Sequence, residues 1–409
     1  MKGTIKKLIC AGFVACGLAS CADTDMYEIS ASKPRHIEEY EYLKQYGPLK
    51  SYVDRVKYPN FKLGCALEAA DFNNKSLVYS LQVANFDEVV TGNAFKYASC
   101  VDDNGNMDFG TVEDFVANAV EAGQNIYGHT LAWHAQQRPK YLNKLLVGTD
   151  EAKHDTLVWA MEQWISGIMA ACKGNVHAWD VVNEAISGGD NDGDGIFDLQ
   201  HGSATNKTDF FWQDYMGDLE YVRQAVRLAR TYGPEDIKLF VNDYNLESDW
   251  DNNGKVKSLI AWIKLWEADG VTKIDGIGSQ MHISCYANAQ TQESKKKAIT
   301  NMLKLMAESG KLCRISELDM GYVDADGNSV MTADMTEEQH HQMADLYKWV
   351  IEEYLKIIPA AQQWGICQWC STDSPTNSGW RKGEPVGLWD LDYNRKHTYA
   401  GFADGLQGK

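Results

Sequence analysis

The 409-residue sequence is short of basic charge: 39 lysines and arginines stand against 57 aspartates and glutamates, a formal net charge of −18 with histidines neutral. No Lys/Arg cluster forms a stripe, and such a chain repels a phosphate backbone, so nucleic acid is excluded as a partner. Acidity of this kind suits solubility and an uncharged ligand. A disulfide framework is missing too. Ten cysteines are present, but beyond Cys21 they sit singly in apolar runs such as Gly64-Cys65-Ala66 and Ile283-Ser284-Cys285, the pattern of buried free thiols. Cys367-x-x-Cys370 has neither a second pair nor a flanking His cluster, which argues against a metal or redox site. No Gly-rich phosphate fingerprint follows the first predicted strand, which speaks against a dinucleotide fold. No apolar run past the N-terminus is long enough to span a bilayer.

What the N-terminus does have is a leader. Lys2, Lys6 and Lys7 precede the apolar stretch Leu8 to Leu18, and Leu18-Ala19-Ser20-Cys21 resembles the lipobox of bacterial lipoproteins. Residues 1–20 therefore read as a lipoprotein signal peptide and Cys21 as the lipidated residue. Removing that segment, with its three lysines and no acids, takes the net charge from −18 to −21. The polar residues 21–50 read as a tether, and 51–409 as one catalytic domain. The expected location is a membrane-anchored lipoprotein at the cell surface or facing the periplasm, held by its lipid alone.

From Phe61 onward no Pro/Gly/Ser-rich linker interrupts the chain. Buried-strand runs are predicted at Lys62–Leu67, Phe86–Val90, Asn125–Leu131, Ala178–Asn183, Lys238–Asn242, Gly276–His282, Leu312–Leu318 and Gln363–Gln368. Amphipathic segments of helix length lie between them, among them His154 to Cys172 and Glu337 to Lys356. Eight such repeats argue for an α/β fold closed into a (β/α)₈ TIM barrel.

Barrels of this kind place their chemistry at the C-terminal ends of the strands. Here those ends carry Asn93 and Lys96; His129 and Trp133; Asn183 and Glu184; Asn242 to Asn245; Gln280 and His282; Glu317 and Asp319; and Trp369. Trp179-Asp180-Val181-Val182-Asn183-Glu184 and Cys313-Arg314-Ile315-Ser316-Glu317 are both apolar runs that end in a carboxylate. Two carboxylates facing one crevice are the minimum for cleaving a glycosidic bond. Among thirteen tryptophans, Trp133, Trp364 and Trp380, together with Tyr244, are candidates to stack on the apolar face of a sugar.

Five ordered motifs, Gly128-His129-Thr130-Leu131-Ala132-Trp133-His134, Trp179 to Glu184, Asn242 to Asn245, Gly276 to His282 and Ser316 to Asp319, resemble those of glycoside hydrolase family 10, the endo-β-1,4-xylanases. The resemblance implies retaining hydrolysis of xylan or xylo-oligosaccharides, with Glu184 as acid/base, Glu317 as nucleophile, and His282 and Asp319 as its orienting partners. It implies Asn183 as the donor to the sugar 2-hydroxyl and Gln280, His129, Lys96 and Asn93 as further sugar ligands. No cofactor is required. The alternatives are a β-glycanase on another β-1,4 backbone and a non-catalytic glycan-binding lipoprotein. Three departures stand out. Gly92 replaces the family's sugar-binding Glu, which predicts a weakened distal glycone subsite. The family's Trp-Gly after strand eight reads as Trp364-Gly365, with a longer loop leading to Trp380. Asp190, Asp192 and Asp194 resemble a calcium loop, with His201 where a bidentate Glu is expected, so structural calcium and a flexible acidic loop both stay open.

Overall fold

The computed structural model describes residues 35–203 and 205–408. The expected signal peptide, Cys21 and the first part of the expected tether lie outside the described residues. The chain divides into a unit ending at Glu39, whose described residues are helical, and a unit from Tyr40 to Lys409.

The expected tether ends sooner than predicted, because residues 40–50 belong to the second unit. Leu43 and Leu49 are buried. The Tyr46 hydroxyl donates to the Asp404 carboxylate at 3.0 Å, and Arg395 donates to the Leu43 carbonyl at 3.1 Å and to that of Tyr46. Leu43, Tyr46 and Leu49 recur every third residue inside a run whose Glu and Lys residues made it read as solvated.

The strands are β1 (Lys62–Leu67), β2 (Glu88–Thr91), β3 (Asn125–Ala132), β4 (Val176–Asn183), β5 (Lys238–Asp243), β6 (Gly276–Ser279), β7 (His282–Tyr286), β8 (Leu312–Val323) and β9 (Gln363–Gln368). All pair in parallel. β1 to β6 are neighbours in chain order, β6 pairs with β8, β8 with β9 and β9 with β1, which closes an eight-stranded barrel. The sixth predicted strand is the exception. It breaks at Gln280 and Met281, where Met281 takes a left-handed φ of 55°, and resumes as β7 against the outer half of β8. That break sets His282 opposite Asp319.

Most of the core lies between the barrel and its helices, where Trp164, Trp179 and Trp266 are fully buried. Close packing fixes β3 against β4, since a Cβ on Gly128 would come within 2.1 Å of the Trp179 ring. The barrel interior holds a smaller apolar group, Ala66, Val90, Tyr127, Ala178, Phe240 and Cys367. Beside it, buried Arg314 is paired with Glu88 at 2.5 Å and stacked on the Tyr127 ring at 3.8 Å. A buried guanidinium persists only when so compensated. The long flanking helices start where side chains satisfy their first N–H groups: Thr149 caps Asp150–Ala171, and Thr336 with Gln339 forms a capping box for Glu337–Ile357.

Candidate active site

The C-terminal ends of the strands open onto a cleft of about 940 Å³. Glu184, Glu317, His282, Asn93, Lys96, His129, Trp133, Tyr244, Gln280 and Trp380, all expected there from the sequence, line it.

Glu184 is the first residue past β4 and has a left-handed φ of 55°, a conformation that costs a non-glycine residue about 1–3 kcal/mol. The surrounding pairing holds it there, with its N–H donating to the Asn242 carbonyl at 2.7 Å. Trp133 Nε1 donates to one carboxyl oxygen and Gln280 Nε2 to the other, each at 2.9 Å. Burial pushes the Glu184 carboxyl above its ordinary range. The Gln280 and Trp133 bonds pull it down, but the charges of Asp243 and Glu317 add to the rise, and the net direction is upward. This is a carboxyl suited to carry a proton.

Glu317 sits within β8 in the opposite environment. Its burial opposes ionisation, yet the hydrogen bond from His282, the charges of His129 and His282 and the bond from Asn242 outweigh it, and the carboxyl is held at about 2. His282 Nε2 lies 3.2 Å from Glu317 Oε2 and Asn242 Nδ2 donates to Oε1 at 2.9 Å. His282 Nδ1 pairs with Asp319 Oδ2 at 3.0 Å. Burial disfavours a charged imidazole, but the Asp319 charge and hydrogen bond, with those of Glu317, raise His282 to about 10. The ring is therefore a cation between two anions, hydrogen-bonded to Glu317 through Nε2 and ion-paired with Asp319 through Nδ1. Arg381 Nε pairs with Asp319 Oδ1 at 3.0 Å and Trp380 Nε1 donates to Oδ2 at 2.8 Å, which fixes the far end of the chain.

Asn242 ties the two carboxyls together. Its side chain donates to Glu317 and to Asn183 Oδ1, and its carbonyl receives the Glu184 N–H. Asn183 Nδ2 is buried with no acceptor among the described residues, as a donor awaiting a hydroxyl would be. His129 is held by Asp180 at 2.8 Å, and Asp180 by the Tyr127 hydroxyl at 2.6 Å. Lys96 lies over the Trp133 ring at 5.1 Å, and Lys255 over Tyr244 at 3.3 Å.

The structure corrects one candidate. Trp364 is at the N-terminal end of β9, packed on Phe240 at a ring separation of 5.5 Å, and is away from the cleft. Trp369, just past the other end of β9, lines the cleft instead, 5.9 Å from the His129 ring and 6.2 Å from that of His282. Arg381 and Glu68 were not singled out by the sequence, and Asn242 was given no role there. Asn242 stood in a strand-end motif, whereas Arg381 comes from the long loop after β9, where no periodicity points to a site. The carboxylates of Asp190, Asp192 and Asp194 do converge within 4.8 Å. His201 is turned instead to Asp214 and Asp218, at 2.6 and 3.1 Å.

A model of glycosyl hydrolase family 10 matches residues 53–405. The chain is 29% identical over 371 residues to endo-beta-1,4-xylanase Xyn10C of Cellvibrio japonicus, covering 85% of this chain and 56% of that one. It is 29% identical over 324 residues to endo-1,4-beta-xylanase 3 of Hypocrea jecorina, covering 79% and 76%. It thus spans little more than half of the first of these relatives. A solved structure of a mutant of Cellvibrio japonicus xylanase 10C in complex with xylopentaose superposes with a TM-score of 0.71 at 26% identity, over 89% of this chain and 70% of that one.

Proposed function

Since the chain belongs to glycosyl hydrolase family 10, we propose that it cleaves internal β-1,4-xylosidic bonds of xylan with retention of anomeric configuration. The observation that carries this reading is the unequal environment of the two cleft carboxyls, one raised by burial and the other held at about 2. In the first step Glu317 attacks the anomeric carbon while Glu184 gives its proton to the departing glycosidic oxygen. A glycosyl ester on Glu317 results. Glu184, now a carboxylate, then takes a proton from water as that water attacks the same carbon and releases Glu317. Retention calls for carboxyls about 5–5.5 Å apart, and the bridge through Asn242 supports the close arrangement. Two carboxyls and water suffice, so the reaction requires no cofactor.

The anchoring lipid on Cys21 belongs to the same reading and is supported by the leader ahead of it. So does calcium at Asp190, Asp192 and Asp194, supported by the convergence of their carboxylates. The activity is tested by reducing-sugar release from a panel of plant polysaccharides. The wild type is expected to act on xylan well ahead of β-1,4-glucan or β-1,4-mannan, and Glu317→Ala to release nothing. Faster release from another backbone would replace the substrate, and binding to xylan without release would leave a non-catalytic glycan-binding protein.

A further inference from the structure

The sequence expectation of a weakened distal glycone subsite rested on Gly92, but the space beside Gly92 is taken. A Cβ built there would lie 2.8 Å from Oε1 of Glu68, a residue on the neighbouring strand end, directly after β1. Glu68 precedes the short helix Ala69–Asn73 at its N-cap position, yet its side chain makes no capping bond to that helix. It reaches across to β2 instead, where Asn93 Nδ2 donates to Oε1 at 3.0 Å. The Oδ1 of the same asparagine accepts from Lys96 Nζ at 3.3 Å. Lys96 is buried, whereas Asn93 and Glu68 are exposed in the cleft wall. The row Lys96, Asn93, Glu68 thus climbs from the floor beside the catalytic pair to the rim, and ends in a carboxylate.

Resting on the xylanase reading above, we propose that Glu68 supplies the carboxylate of the distal glycone subsite. Asn93 has one amide proton and Glu68 one oxygen left for a sugar, so the pair presents a donor and a charged acceptor side by side. A vicinal diol of an equatorial pyranose meets both. The glycine follows from this arrangement. With the end of the Glu68 side chain beside position 92, a second carboxylate there would have to displace it and would face it as a like charge.

The test compares an aryl β-xylobioside, which fills the distal subsite, with an aryl β-xyloside, which does not. The readout is the ratio of kcat/KM for the two. Loss of a charge-assisted hydrogen bond to a hydroxyl is a change of roughly tenfold to a hundredfold, so Glu68→Gln is expected to lower the ratio by that factor. Gly92→Glu is expected to lower it as well, and the double variant Glu68→Ala/Gly92→Glu, which carries one carboxylate on the other wall, to recover part of it. The ratio restored in the double variant shows that the carboxylate matters rather than the fold around it. An unchanged ratio in Glu68→Gln overturns the proposal. Wild-type inactivity on both glycosides and on xylan overturns the xylanase reading and the proposal with it.

Discussion

Glu184 and Glu317 are the same residue type in one cleft, and what separates their roles is what surrounds each. Glu184 has burial and two neighbouring anions against two N–H donors, while Glu317 has a histidinium held by Asp319. The sign for activity follows. Glu184 works protonated, so kcat/KM falls as pH rises through its raised value; Glu317 works ionised, so the acid limb lies far lower, toward about 2. Because the Gln280 bond favours the ionised form of Glu184, Gln280→Ala is expected to move the alkaline limb to higher pH. A pH profile of kcat/KM checks this, and a limb that stays in place or moves down would remove Gln280 from the proton account. At this scale much of the site was legible, because the strand-end rule picks out Glu184, Glu317, His282 and Asp319 without any contact in hand. Arg381 and Glu68 were not, since each reaches its partner across a loop or a neighbouring strand, and nothing in the local pattern records where a long side chain ends.

Elements were legible wherever burial on both faces left an unbroken apolar run, as in β1, β4 and β9. Gly276–His282 reads as one strand because Met281 is neither Gly nor Asn, yet its left-handed backbone breaks the strand and delivers His282 to Asp319. Trp364 reads as a cleft residue because it flanks the last strand, but it lies at the N-terminal end of β9 and Trp369 at the C-terminal end that faces the cleft. Residues 40–50 read as part of a tether because their charge hides a three-residue apolar spacing, Leu43, Tyr46 and Leu49. The loop from Asp190 to Asp198 is built on carboxylates that already receive its own backbone N–H groups, Asp190 from Gly193 at 2.7 Å and from Gly195 at 3.0 Å. Calcium bound there would stabilise the folded state by about 2.7 kcal/mol at a hundredfold excess over its Kd. Calcium is therefore expected to raise the Tm of the wild type and to leave that of Asp192→Ala unmoved. A Tm indifferent to calcium and to chelator in both would show an acidic turn and no metal site.

The whole molecule combines a net charge of −18, a barrel with a cleft at the C-terminal ends of its strands and, ahead of Cys21, the leader expected from the sequence. The proposed lipid on Cys21 would hold the protein at a membrane, where it would meet a polysaccharide too large to cross. Cys21→Ala is expected to shift the protein from the membrane fraction to the soluble fraction with its activity on xylan retained; equal membrane retention would place the anchor elsewhere. The alternation of strands and helices made the barrel readable over its full length, since each repeat carries the same pattern of burial. Its closure was expected too, but the β6–β8 pairing that skips β7 appears only in three dimensions. The central claim is that one carboxyl attacks and the other shuttles the proton, and the stereochemistry of the first product tests it most directly. Proton NMR of xylopentaose hydrolysis, followed from the first turnovers, is expected to show the β-anomer of the new reducing end appearing first and mutarotating later to the α-form. An α-anomer formed first would mean a single inverting displacement by water, and Glu317 would then be a base and not a nucleophile.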